Sequence, residues 1–421
     1  MSEIPDPGPV PREEDISDTG GASQPSPGDV SSPDVSSQDY ASGQGHASSR
    51  VDIVPASQAG RLALQSWLAS RLVLLITALV VAWQKDAGLG EVLARWDVGH
   101  FIDVAEHGYS TMTVTAFFPG LPMLMAGFSL AGIPPVASGF VISLISSGMA
   151  AWGLYRLAGG GTKGMVAVTA WSFAPMAVFT FVPYTEAIFC AFAFWAFYYG
   201  RRGQWAQAAG LAACACAFRV SGLFLIGALG LLALFPLRRL TPVPWKQRFL
   251  NLCWLWIPAA VIRCYALYLR IQFGSWTIWF QAQVAGWNRD FHWPWDALME
   301  TMKVAGLLGP SGYSEAVMFR WEIAAFFIGI GLTIICLLRN RIAEAGWVGV
   351  QVLAMSFQVW LISLARTMVD WFPLYTLIGE AGVAPANHII RRRVILLAVL
   401  ALEVTAMVWW AARFFTGAWA G

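Results

Sequence analysis

Residues 95–109 (RWDVGHFIDVAEHGY) hold an unusual density of titratable side chains. In a helix, Asp97, His100 and Asp103 would share one face, because residues three or four positions apart lie one above another. A carboxylate in such a group could take the proton from a sugar hydroxyl, with a neighbour adjusting its pKa. The alternative is an interfacial helix whose charges and Trp96 face lipid headgroups. Spacing alone leaves both interpretations open.

Three further charged residues lie within or beside long apolar runs. An ionisable group at membrane depth is costly to bury and is therefore a functional candidate. Glu186 fits that description, or else it helps Thr185 to cap a helix. Arg219 faces either a polar cavity or, by extending its side chain, the membrane interface. Arg366 could hold a phosphate with two hydrogen bonds, or pair with Asp370 four residues later.

Tryptophan and glutamine recur in residues 272–319, where Gln283 and Trp287 stand one helical turn apart. An aromatic ring can cover the apolar face of a sugar while an amide bonds to its hydroxyls. We therefore interpret this pair as a carbohydrate contact. An aromatic belt at the membrane interface is the alternative, and it is the more frequent role of a single tryptophan.

The composition places the chain in a membrane. Of its 421 residues 57% are apolar and 12% are charged, with a mean hydropathy of +0.57; soluble domains carry more charge. Runs that approach the roughly 20 apolar residues of a membrane span occur at 62–84, 136–156, 164–182, 186–200, 205–218, 221–237, 250–271, 320–338, 345–364, 371–387 and 393–416. We predict an all-α polytopic protein with about 10–12 transmembrane helices.

Basic residues fall between alternate apolar runs, which indicates the orientation of the chain. The clusters are at 156–163, 201–202, 238–248, 339–341 and 391–393, and the positive-inside rule makes all of them cytoplasmic. Loops 85–116 and 272–319 would then be extracytoplasmic. This topology requires a half-membrane helix at 117–131, which its prolines and glycines favour. The alternative is that 117–131 spans the cytoplasmic membrane and a shorter run does not.

Residues 1–58 have a different composition, rich in Ser, Pro, Gly and Asp. The first 60 residues hold ten acidic side chains against two arginines, and such a segment buries too little apolar surface to offset its ordering entropy. We expect a disordered, acidic, cytoplasmic tail, followed by a transmembrane domain at 59–421. The remaining basic residues cluster in short stretches between apolar runs rather than on one binding face, which argues against nucleic-acid binding. The cysteines and histidines show no zinc-site spacing.

Several of these stretches match one known pattern in order and spacing. They are residues 95–101 (RWDVGHF), 105–109 (AEHGY), 116–122 (AFFPGLP), 174–175 (AP), 184–189 (YTEAIF) and 218–222 (FRVSG). Together they resemble the PIG-V mannosyltransferase family of the GT-C superfamily, over roughly residues 62–375 and most closely over 95–222. Thr185 replaces the family's usual serine, and Val220-Ser221 replaces Ser-Asn, which keeps a hydroxyl and removes an amide.

The resemblance implies a GT-C fold, inversion at the anomeric carbon and usually no metal or other cofactor. We expect Asp97 to be the catalytic base. The expected substrate-binding residues are Trp96, His100, Glu106, His107, Phe118, Tyr184, Glu186, Arg219, Gln283, Trp287 and Arg366, with Arg219 or Arg366 stabilising the departing lipid phosphate. The expected partners are a polyprenyl-phosphate-mannose donor, membrane lipids and a glycolipid acceptor, for which a phosphatidylinositol mannoside would fit.

Two other classes of function fit parts of the sequence. A transporter or flippase for a lipid-linked sugar would also place charges and broken helices inside the membrane, although the two halves show no evident repeat. A non-catalytic partner of another glycosyltransferase would use the acidic tail for docking. Sugar transfer by the purified chain alone would exclude the second class.

Overall fold

The computed structural model describes residues 55–236, 242–383 and 389–420, without the side chains of 56 and 389–393. The predicted tail at 1–58 therefore lies, up to residue 54, outside the described residues. The described residues form helices and no strands, and they belong to one compact unit. This agrees with the predicted all-α class.

The α-helices follow one another with short connections. They are α1 (Ala56–Lys85), α2 (Leu89–Leu93), α3 (Asp97–His107), α4 (Gly120–Ser129), α5 (Pro135–Leu157), α6 (Gly161–Ser172), α7 (Glu186–Arg201), α8 (Trp205–Cys216), α9 (Gly222–Leu234), α10 (Trp245–Cys253), α11 (Trp256–Phe273), α12 (Ile278–Trp287), α13 (Pro294–Val304), α14 (Ala316–Leu338), α15 (Ile342–Ser356), α16 (Leu364–Thr367), α17 (Phe372–Gly382) and α18 (Ile389–Phe415). Short 3-10 helices lie at Thr113–Ala116, Pro175–Thr180 and Met368–Asp370.

Five helical segments in the described part of the chain are long and apolar enough to cross a membrane. They are Ser57–Lys85, Pro135–Leu157, Trp245–Phe273, Ala316–Leu338 and Val394–Phe415. The prediction of an all-α polytopic membrane protein is confirmed. Six of the predicted apolar runs form shorter helices, such as the 12 residues of α8, which rise about 18 Å at 1.5 Å per residue. The total number of spans and the GT-C arrangement stay predictions.

Helix α4 occupies the segment for which we predicted a half-membrane helix. It has 10 residues and is therefore about 15 Å long, half the thickness of a bilayer core. The chain turns after it at Gly132, where φ is +75°, and α5 then starts at two consecutive prolines. Helix α4 packs against α3 and α5. Its length agrees with the half-membrane prediction, and the side from which it enters the membrane stays a prediction.

Gly120 begins α4 at a close approach between two parts of the chain. Its N–H donates to the Ala217 carbonyl oxygen at 2.8 Å, and a Cβ on Gly120 would lie 2.7 Å from that oxygen. We expect Gly120→Ala to destabilise the protein by about 1–3 kcal/mol, because backbone must move to relieve the clash. The measurement is unfolding of the purified protein by SDS titration.

Gly127, on the same helix, provides the matched control. A Cβ there would meet nothing within 4 Å, so Gly127→Ala should stabilise α4 by about 0.5–1 kcal/mol through its helix propensity. Equal destabilisation by the two variants would show that the close approach at Gly120 is not the reason for its glycine.

Three of the predicted basic clusters lie close to one another. Arg201 donates to the Leu157 carbonyl oxygen at 3.1 Å and to Glu344 at 2.7 Å. Arg341 also pairs with Glu344, at 3.4 Å, and Arg339 pairs with Glu380 at 2.7 Å. The clusters at 156–163, 201–202 and 339–341 therefore share one region, as their assignment to a single membrane face requires. Which face this is stays a prediction.

Candidate active site

A cavity of about 540 Å³ lies where α3, α12 and α16 meet the loop between α8 and α9. This volume is in the range of small-molecule sites. Eight of the predicted site residues line the cavity: Trp96, Asp97, His100, Phe118, Arg219, Gln283, Trp287 and Arg366. The structure thus brings together residues from four distant parts of the sequence.

An ionic network runs along the floor of this cavity. Arg366 Nη1 donates to Asp97 Oδ2 at 3.1 Å, and Arg366 Nε donates to Glu186 Oε1 at 2.5 Å. Arg219 forms a salt bridge to the same Glu186 oxygen, and it approaches the Thr185 hydroxyl at 3.5 Å. Glu186 is fully buried. Because one buried carboxylate holds two arginines, the network fixes the position of both guanidinium groups.

Asp97 is positioned by the start of α3 and by a buried tyrosine. The chain enters the helix through Trp96, which has a φ of +57°. The Asp97 N–H then donates to the Tyr184 hydroxyl at 3.2 Å. A carboxylate in the first turn of a helix is favoured by the helix dipole. Asp97 is therefore held at a helix N-terminus with its side chain directed into the cavity.

Arg366 lies above two aromatic rings. Its guanidinium carbon is 5.2 Å from the centre of the Phe179 ring and 5.0 Å from that of Tyr184, which is a cation–π distance. The short segment that carries Arg366 is anchored in the core, where Trp171 donates to the Val369 carbonyl oxygen and Trp347 donates to that of Asp370, both at 2.9 Å. These hydrogen bonds fix the backbone just after Arg366.

The opposite wall of the cavity is aromatic. His100 stacks on Phe117 with ring centres 5.1 Å apart, and Trp287 meets both rings edge-on, at 6.0 and 5.3 Å. Gln283 lies on the cavity side of α12, one turn before Trp287. An aromatic surface with an amide beside it matches the predicted carbohydrate contact. The alternative of a simple membrane belt does not describe this pair, because both line the cavity.

Two of the alternatives, an Arg366–Asp370 pair and a helix-cap role for Glu186, are wrong. Arg366 does not pair with Asp370, because the chain after α16 tightens into the 3-10 helix Met368–Asp370, which directs Asp370 into the core. There Asp370 accepts a hydrogen bond from the Cys190 thiol at 3.2 Å. Glu186 does not serve as a helix cap, since its carboxylate engages Arg219 and Arg366 and α7 has no side-chain cap.

Four predicted site residues do not line the cavity. Glu106 and His107 are exposed at the far end of α3, where His107 Nδ1 lies 3.0 Å from Asp103. Tyr184 and Glu186 lie directly beneath the cavity. Tyr184 contacts Asp97 and Glu186 contacts Arg366, each on the side that faces away from the cavity. A direct contact with substrate is therefore expected from none of these four.

Two residues of the site, Glu322 and Arg289, were not predicted from the sequence. Glu322 is fully buried in α14 and accepts the N–H groups of Ser363 at 3.0 Å and Ala365 at 2.8 Å. It holds Ser363 at a φ of +61° just before α16. An acidic residue inside an apolar span is a signal that could have identified it.

Arg289 is the second missed residue, and it lines the cavity just beyond α12. Its Nη2 donates to the Ser363 hydroxyl at 3.3 Å. Burial, together with the nearby Arg366, lowers the pKa of Arg289 to about 10, so the side chain is still a cation at neutral pH. Its place in a segment rich in Trp and Gln was the available signal.

A second cavity adjoins the first and is almost entirely apolar. Its volume is about 510 Å³, and Phe118 lines both cavities. Its other walls include α4, through Met123 and Ala126, and α11, through Tyr265 and Tyr268. A polar cavity and an apolar cavity therefore share one aromatic wall.

No family model matches the chain. It is similar to GPI alpha-1,6-mannosyltransferase 2 of Homo sapiens, with 31% identity over 210 residues that cover 44% of this chain and 42% of the human protein. The proteins of the same name from Cricetulus griseus and Mus musculus are each 33% identical over 159 residues, covering 34% of this chain and 32% of theirs. The chain therefore matches less than half the length of these curated relatives. The similarity supports a relationship to mannosyltransferases.

Proposed function

We propose that the protein is an inverting mannosyltransferase that moves mannose from a polyprenyl-phosphate-mannose donor to a glycolipid at the extracytoplasmic membrane face. The observation that carries the proposal is the position of Asp97, whose carboxylate shares a cavity with arginines and an aromatic wall. A base, cations for a phosphate and a surface for a sugar are the three parts that such a transfer needs. The partial similarity to mannosyltransferases supports the choice of sugar.

In the proposed reaction Asp97 accepts the proton of the acceptor hydroxyl. The acceptor oxygen forms a bond to the anomeric carbon of mannose, on the side opposite to the phosphate. The bond between that carbon and the phosphate oxygen breaks, and the lipid phosphate leaves with the electron pair. One displacement inverts the configuration. Arg366 holds one Asp97 oxygen and so orients the other towards the acceptor.

The cations of the cavity stabilise the negative charge that develops on the leaving phosphate. Preorganised charges need no reorientation during the reaction, which is why they lower the barrier. Arg219 and Arg366 are held in place by Glu186. His100, Gln283 and Trp287 would meanwhile contact the sugar.

The apolar cavity is proposed to receive the first isoprene units of the donor. We expect Ala126→Phe, which narrows this cavity, to raise the KM for a donor with a ten-isoprene chain by about tenfold, since each buried CH₂ contributes about 0.8 kcal/mol. A donor with a two-isoprene chain fills only part of this cavity, so its KM should change less. Steady-state kinetics with the two donors provide the measurement.

Leu130→Phe is the matched control, because Leu130 is 92% exposed at the end of α4 and outside the cavity. It should leave both KM values unchanged. An equal effect of Ala126→Phe on the two KM values would show that the isoprenoid chain of the donor does not bind in this cavity.

The donor class is tested by supplying the purified protein with lipid acceptors and either radiolabelled polyprenyl-phosphate-mannose or radiolabelled GDP-mannose. We expect labelled product from the lipid-linked donor alone. Product from GDP-mannose would contradict the proposed donor. Movement of the labelled donor across vesicle membranes, without any transfer, would favour the flippase function instead.

A further inference from the structure

The charged residues that line the polar cavity are not balanced. In the described part of the chain they are three arginines, Arg219, Arg289 and Arg366, against the single carboxylate of Asp97. Glu186 lies beneath the cavity and compensates Arg219 and Arg366 from behind. Positive charge is therefore in excess at the cavity surface, as an anionic ligand requires.

The three arginines differ in how they are already engaged. Arg366 is shared between Asp97 and Glu186, and Arg219 pairs with Glu186. A phosphate that took hydrogen bonds from either guanidinium would compete with a buried carboxylate and leave it poorly compensated. Removing one partner from a buried ion pair is costly. Neither arginine is thus free to donate the main hydrogen bonds to the phosphate, although the charge of both still contributes to the field in the cavity.

Arg289 is free of this competition. It makes no salt bridge within the described residues, and its Nη2 donates a hydrogen bond to the neutral Ser363 hydroxyl. Its Nε is buried without a hydrogen-bond partner among them. A guanidinium presents Nε and one Nη as a pair to the two oxygens of a phosphate. Arg289 therefore lines the cavity with guanidinium donors, the buried Nε among them, that no acceptor within the described residues occupies.

The position of Arg289 is fixed from two sides. Asn288 ends α12 with a φ of +53°, which turns the chain so that the next residue lies against the cavity. Ser363, which accepts the bond from Arg289, is itself held by the carboxylate of Glu322. The guanidinium is thus set by a turn and by a buried acid that does not contact it directly.

We propose that Arg289 is the principal phosphate ligand of the cavity and binds the monophosphate group of a prenyl phosphate. This assignment rests on the proposed function for its biological ligand, but the binding of a prenyl monophosphate can be measured without any transfer. In the transfer reaction the phosphodiester of the donor becomes the more negative phosphomonoester of the product. The electrostatic stabilisation of the phosphate by Arg289 would therefore increase as the reaction proceeds.

The test is binding of farnesyl phosphate to the purified full-length protein in detergent, measured by calorimetric titration, with farnesol as the probe that lacks phosphate. We expect Arg289→Gln to weaken farnesyl phosphate binding by about ten- to a hundredfold, as for the loss of hydrogen bonds to a charged group. Arg289→Lys should give a smaller loss, because the charge remains and the paired donors do not. Farnesol binding should not change in either variant.

Lys303→Gln is the control for a general loss of positive charge. Lys303 lies in α13, pairs with the partly exposed Glu300 at 3.0 Å and does not line the cavity. It should bind farnesyl phosphate like the wild type. Size-exclusion profiles and thermal unfolding of each variant show whether a loss of farnesyl phosphate binding is caused by misfolding. If Arg289→Gln is misfolded, the titration of Arg289→Lys tests the assignment.

The assignment would be overturned if Arg289→Gln and Arg289→Lys bound farnesyl phosphate as tightly as the wild type. It would also be overturned if the two substitutions weakened farnesol binding as much as farnesyl phosphate binding. It would also be overturned if the wild type transferred mannose but bound no farnesyl phosphate. The protein could also bind farnesyl phosphate through Arg289 and yet transfer no mannose from any donor. That result would contradict the proposed function but would support Arg289 as a phosphate ligand.

Discussion

Asp97→Asn should lower the turnover number by about 10²–10⁴-fold, which is the usual contribution of a general base. The amide has nearly the same shape and can still accept a hydrogen bond from Arg366 through its oxygen. It cannot take the proton of the acceptor hydroxyl. The KM for the donor should therefore change much less than the turnover number, and steady-state kinetics of the purified variant measure both.

Asp103→Asn is the matched control, since it makes the same chemical change on the same helix. Asp103 is partly exposed and pairs with His107 outside the cavity. Its turnover should stay close to that of the wild type. Near wild-type turnover by Asp97→Asn, or an equal loss in both variants, would remove Asp97 from the role of base.

Glu186→Gln should have the largest effect on stability, about 3–5 kcal/mol, because it leaves the buried charges of Arg219 and Arg366 without their shared partner. Glu186 is fully buried, and the two arginine side chains are only 11% and 14% exposed. SDS titration of the purified variant reports the change in the free energy of unfolding.

Glu300→Gln gives the comparison for a salt bridge in water. Glu300 pairs with Lys303 where the side chains are 41% and 59% exposed, and such solvent-exposed pairs contribute about 0–1 kcal/mol. If the two variants were destabilised equally, the buried network around Glu186 would not be a major source of stability.

The sequence indicated which residues share the cavity better than it indicated their contacts. The motif at 95–109 predicted that Asp97 and His100 share one helix face, and both residues lie on α3 and line the cavity. It did not separate them from Glu106 and His107, which lie on the same helix but beyond the cavity. Periodicity identifies a face, but the length of helix that another element covers depends on tertiary packing.

The partner of Arg366 could not be read from the sequence. Asp370 is four residues away, and a continuous helix would have paired the two. The 3-10 helix at Met368–Asp370 breaks this relation, and Arg366 instead meets Asp97 and Glu186, which are 269 and 180 residues distant. Contacts at such separations depend on how the helices pack, which local spacing does not specify.

The apolar runs predicted the helices but not their lengths. Each of the eleven runs contains a helix, and five helical segments are long enough to span a membrane. The others include α17, whose 11 residues rise about 17 Å. Hydropathy reports that a segment is buried, and a short helix packed within protein gives the same signal as one that faces lipid.

Mannose transfer itself remains the most direct test of the proposed function. The purified wild-type protein, incubated with radiolabelled polyprenyl-phosphate-mannose and a membrane lipid extract, should produce a labelled glycolipid without any other protein. The anomeric configuration of the new bond should be opposite to that of the donor. Absence of labelled product, with an intact and folded protein and a range of lipid acceptors, would contradict the assignment of this chain as a mannosyltransferase.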